Sequence, residues 1–157
     1  MAARAGVTWR WSRFGLGVLY AVPAIAVAPF DPAVALALSI GVLPAAVVGL
    51  PARRRARSAI PVLGTLVALG LLLGATLALV PVLAVLAVAV LAVLASMLAA
   101  RGRAGQLALT LVLPMVGIGL SFPLSTTTVL LAGAIVAGSV YAWLIALLWP
   151  EHEAGVR

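Results

Sequence analysis

From Ile60 to Ala100 the chain carries no charged residue, and this run constrains everything around it. As one helix it would reach about 60 Å at ~1.5 Å per residue, twice the ~30 Å hydrocarbon core of a bilayer. Arg57 precedes the run, and Arg101 and Arg103 follow it. Arginines beside apolar runs stay on the cytoplasmic side, so both ends lie at one membrane face. The run must fold back on itself, and Val80-Pro81 is the expected turn. Spans over 60–79 and 82–100 follow.

The basic island Pro51–Ala59, with Arg53, Arg54, Arg55 and Arg57, sits between two apolar runs. A charge at the centre of a membrane helix costs about 2.5–3.5 kcal/mol, so the island stays at the cytoplasmic face and orients its neighbours. The chain is 66% hydrophobic and 8% charged. A soluble domain would be about 45–50% apolar and 25% charged, so the lipid bilayer is this chain's solvent. Its 157 residues suit one bundle of helices, a single transmembrane domain over 1–157. All ten basic residues are arginines, against three acids, for a formal charge of +7. They flank apolar runs without an aromatic-lined surface, which points to topology and not to nucleic acid.

Four more spans complete the layout. Arg4, Arg10 and Arg13 alternate with Trp9 and Trp11 at a cytoplasmic interface, ahead of a span over 14–30. That segment also resembles a signal peptide ending Ala26-Val-Ala28, but Pro29 directly after it argues against cleavage. Asp31-Pro32 gives a helix start, an N-cap acid with proline at the first helical position, for a span over 33–50. A short span over 107–122 is interrupted by Pro114, Gly117 and Gly119. The run Ser125-Thr-Thr-Thr128 caps a last span over 126–149. The expectation is an all-α, six-span protein of a bacterial inner (plasma) membrane, both termini cytoplasmic. All ten arginines then share one side and Asp31 lies opposite.

Catalytic constellations are absent from this pattern. Asp31, Glu151 and Glu153 sit at or beyond span ends, and His152 is in the tail. No base stands near a serine inside a span, and no set of ligands is spaced for a metal. With no cysteine there is neither a disulfide nor a thiolate site. The expectation is no enzyme, no metal and no cofactor.

The second and fifth spans echo each other, Val42-Leu-Pro44 against Val112-Leu-Pro114, each closing on Gly-Leu. Three-span halves of opposite direction with proline-broken middle helices point to a transporter site at the midplane, a 3+3 inverted repeat. In a chain so rich in Val, Leu, Ala and Gly, chance matching is the competing reading. Each proline frees a carbonyl one turn earlier, for which Ser39 and Thr110 are local partners. Tyr20, Tyr141 and Trp143 lie at similar depth, either lining a solute path or forming an aromatic belt. Gly70-Leu-Leu-Leu-Gly74 allows close helix approach, within the bundle or to a second copy.

The chain resembles the membrane half of the fusaric-acid-resistance / aromatic acid exporter family. The resemblance rests on Arg57 leading into Gly64-Thr65 and Gly70, on the basic turn Arg101–Arg103, and on the closing Gly138-Ser-Val-Tyr-Ala-Trp-Leu-Ile-Ala-Leu-Leu-Trp-Pro-Glu151. It implies export of small organic, above all aromatic, anions. The family pattern usually carries a cytoplasmic domain and often a second membrane half, which implies a half-unit that self-associates. A cytoplasmic rim of Arg53, Arg54, Arg55, Arg57, Arg101 and Arg103 would gather anions, and an interior-negative potential drives them outward. The path would run by Tyr20, Ser39, Pro44, Thr110, Pro114, Tyr141 and Trp143. The alternative is a non-transporting structural or accessory subunit that partners another membrane protein.

Overall fold

The computed structural model describes residues 11–48 and 57–148, with 11–13, 48, 101, 103–105, 107 and 108 described by backbone alone. Among the described residues all regular structure is helical. The helices are α1 (Trp11–Val27), α2 (Pro32–Val48), α3 (Ala59–Leu77), α4 (Pro81–Arg101), α5 (Arg103–Gly119) and α6 (Thr126–Leu148). Three of them, α3, α4 and α6, are long and apolar enough to cross a membrane. The apolar parts of the others, Phe14–Val27, Pro32–Val47 and Leu109–Gly119, are shorter.

Local chemistry sets the helix ends. Asp31 caps α2, its Oδ1 accepting from the backbone N–H of Ala33 and Val34 at 3.0 Å each. Val80 is extended, as a residue before proline prefers, and Pro81 opens α4 without wasting a donor. Between α4 and α5 only Gly102 leaves the helix. Its φ of 148° is a backbone that side-chain-bearing residues rarely adopt. That single break lets α5 resume at Arg103, four residues earlier than the sequence pattern places it. Ser125 accepts from Thr128 N–H, and the Thr128 hydroxyl donates to the Pro123 carbonyl at 2.7 Å, fixing the entry to α6.

The helices pack in the order α1, α2, α6, α3, α5, α4. The central pair is α3 and α6. Two clusters fill the core, one of Ala37, Val67, Ala68, Leu71, Met115, Ala132 and Ile135, the other of Leu16, Tyr20, Ala45, Ile60, Ala142 and Ala146. Most of these residues are small. Small residues let helices approach closely enough for van der Waals contact along their lengths.

Two crossings bring backbone against backbone, and they share one geometry. A Cβ added at Gly41 would overlap the Ile135 carbonyl, and one at Gly138 the Leu38 carbonyl. A Cβ at Gly74 would overlap the Val116 carbonyl, and one at Gly119 the Leu71 carbonyl. In both pairs each glycine lies against the carbonyl three residues before its partner. This is the close approach at which Cα–H groups meet carbonyl oxygens. It joins α2 to α6 and α3 to α5.

Candidate functional site

The sequence candidates divide between two places. Tyr20 is buried with Leu16, Ala45, Ile60, Ala142 and Ala146, and Trp143 packs on the same cluster. Pro44, next to Ala45 on α2, is fully buried. Thr110 and Pro114 are exposed on α5. Since α6 and α3 lie between α2 and α5 in the packing order, the two prolines do not face a shared site. Ser39 is exposed in the groove between α1 and α2.

The hydroxyl partners differ from those expected. Ser39 donates to Ala35 O at 3.0 Å, and Thr110 to Gln106 O at 2.8 Å, each one turn back along its own helix. The carbonyls that Pro44 and Pro114 release belong to Ile40 and Thr110 themselves, so these hydroxyls do not serve them. The reason is reach: a helical Ser or Thr bonds most readily to the carbonyl three or four residues before it.

A third proline does have a matched partner. Pro23 lies inside α1 and cannot donate to Leu19, four residues earlier. The Tyr141 hydroxyl donates to Leu19 O at 2.9 Å. A freed backbone carbonyl needs such a donor, and here the bond ties α6 to α1. Tyr141→Phe should cost about 1 kcal/mol of stability. Combined with Pro23→Ala, which restores the helical N–H, the same change should cost less. Thermal unfolding of the four proteins in detergent tests this, and strictly additive effects would contradict it.

Arg57 departs most from its expected place. The sequence puts it on a solvated cationic rim, yet it is 2% exposed, and its Nη1 donates to the Ala146 carbonyl. Ala146 lies in the last turn of α6, where carbonyls lack helical partners and the helix dipole is negative. A guanidinium suits that place in both hydrogen bonding and charge. Arg53, Arg54 and Arg55 lie outside the described residues, as do Trp149, Glu151, His152 and Glu153. Arg101 and Arg103 are described by backbone alone.

Gly70 and Gly74 both meet α5, Gly70 at Val112 and Met115, Gly74 at Val116 and Gly119. Their close contact is therefore within the chain. The sequence reading missed Gly41, Gly119 and Gly138 as contact residues, and missed Ser139, which is fully buried against Gly64. The spacing of Gly41 to Ala45 and Gly138 to Ala142 was the available signal.

Three grooves among the described residues are open and apolar. They lie between α3 and α5 by Leu66, Gly70 and Val112, between α4 and α5 by Ala84, Val88 and Leu120, and between α1 and α2 by Ala24, Ala35 and Ser39. Their few polar atoms suit acyl chains better than a hydrated anion. No family model, curated protein or solved structure matches this chain.

Proposed function

We propose that the chain is a six-span inner-membrane protein with a structural or accessory role, forming an assembly with another membrane protein. Support for six crossings comes from depth. Gly70 and Gly74 of α3 meet Val112, Val116 and Gly119 of α5 in the same chain direction. The α5 helix thus lies alongside α3 at the same level of the bilayer. Ala37 and Ala45 of α2 share clusters with Ala132 and Ala142 of α6 in the same way. Helices of 17 residues reach about 25 Å at ~1.5 Å per residue, within the range that local thinning of the bilayer accommodates. Positive-inside placement then puts the loops around Arg57 and Gly102 in the cytoplasm.

What supports the accessory reading is the burial of the residues where α3 meets α6. The α3–α6 pair occupies the space between α2 and α5, with Ile60, Ala142, Ala146 and Ser139 fully buried. Tyr141, Ser39 and Thr110 all direct their hydroxyls to backbone carbonyls. Proteoliposomes holding the purified chain should then move labelled aromatic carboxylates no faster than empty vesicles. Transport above that background overturns the accessory reading.

Export of organic anions by a homo-oligomer is the second reading. It draws on the resemblance and on the matching glycine crossings of α2 with α6 and α5 with α3, which fit a 3+3 inverted repeat. Exchanging α1 with α4, α2 with α5 and α3 with α6 preserves the packing order. Its path would have to form between copies, so covalently linked dimers should transport where dispersed monomers do not.

A further inference from the structure

We infer that the molecule is two firm three-helix units, α1/α2/α6 and α3/α4/α5, that shear along the α3–α6 seam, with Arg57 on Ala146 latching one end. Each unit holds one reciprocal glycine crossing, Gly41 with Gly138 in the first and Gly74 with Gly119 in the second. These contacts are backbone on backbone. No side chain there can change rotamer to absorb a displacement.

The seam is built differently. Along it Ile60 groups with Ala142 and Ala146, Gly64 with Ser139, and Val67 and Leu71 with Ile135 and Ala132, so α3 and α6 run antiparallel. Apart from Gly64 against the Ser139 Cβ, the buried residues grouped along it meet through side chains, the kind of packing along which helices slide in small steps. The flank of α2 adds a smaller contact to α3. Ser139, in the middle of the seam, donates within its own helix to Val136 O at 2.8 Å. Arg57 does cross, from the start of α3 to the last turn of α6.

Releasing Arg57 should therefore loosen the seam and leave both units intact. The chain has no cysteine, so pairs of nitroxide labels can be placed without background. Exposed positions Val62 on α3 and Leu144 on α6 report across the seam, and Leu73 on α3 with Ile118 on α5 report within a unit. In lipid nanodiscs, double electron–electron resonance on the Arg57→Gln protein should show a second, longer population for Val62–Leu144. The Leu73–Ile118 distribution should match the unsubstituted protein. A seam distance that does not change overturns the inference, and so does equal broadening of both pairs.

The Arg57→Lys protein gives a second reading, since lysine keeps the charge but loses the planar fork of donors. It should show the longer seam population to a smaller extent. If Arg57→Gln fails to fold and Arg57→Lys is indistinguishable from the parent, the inference falls.

Discussion

Gly119→Leu should abolish recovery of folded protein, whereas Gly117→Leu, two residues away on the same helix, should leave it almost unchanged. A side chain at Gly119 runs into the Leu71 carbonyl and the backbone of Gly74 and Ala75, while one at Gly117 meets nothing within 4 Å. Overpacking a core typically costs about 1–3 kcal/mol when side chains can give way. Here the obstacle is backbone, so α3 and α5 must separate and lose the crossing. Propensity works the other way, since leucine favours a helix over glycine by roughly 1 kcal/mol. The sign at Gly119 thus isolates the packing term. Gly138→Leu against Gly133→Leu repeats the contrast on α6, where Gly133 also faces open space. Fluorescence-detected size exclusion with a thermal ramp reads all four. Equal behaviour of Gly119→Leu and Gly117→Leu would remove the close crossing from the account.

Arg57→Met should lower stability by about 1.5–3 kcal/mol, the scale of a hydrogen bond made by a charged donor. Methionine fills much of the volume and removes the cation, so the loss reports the guanidinium's polar contacts, the bond to Ala146 among them, more than packing. That carbonyl would be left in the last turn of α6 without its donor. Thr65→Ala, on the exposed side of α3, removes only a bond to Pro61 of the same helix and should stay within about 0.5 kcal/mol. Thermal midpoints in one detergent at one pH compare the two directly. A midpoint for Arg57→Met equal to that of Thr65→Ala would mean that the buried guanidinium contributes nothing.

Helix count and turns were readable because charge and proline mark them. Arg57 and Arg101 bracket the α3–α4 hairpin, Pro81 starts α4 where the turn was expected, and Asp31 caps α2 through its carboxylate. The ends of α5 were less legible, since a single glycine in an unusual conformation suffices to reverse the chain at Gly102. Which helices touch was not legible. Gly138-x-x-x-Ala142 and Gly133-x-x-x-Ala137 have the same spacing, yet only the first lies against a neighbouring backbone. The Val-Leu-Pro echo named Pro44 and Pro114 as counterparts, but one is buried and the other exposed. The crossings pair Gly41 with Gly138 and Gly74 with Gly119, a correspondence that no single offset in the sequence reveals. Pro23 and Tyr141 stand far apart in the chain, and only folding brings the hydroxyl to the released carbonyl of Leu19. Arg57 belonged by pattern to a cationic rim; its burial depends on where α6 ends.

The most direct test of the account is the sidedness of its loops. Single cysteines at Phe30, Val80 and Leu124, and at Ser58 and Gln106, can be read against a cysteine-free background. With a membrane-impermeant maleimide on intact cells, the first three should react from outside, and Ser58→Cys and Gln106→Cys only after permeabilisation. Labelling of Phe30→Cys and Val80→Cys from opposite faces, or of Ser58→Cys in intact cells, would contradict the six crossings.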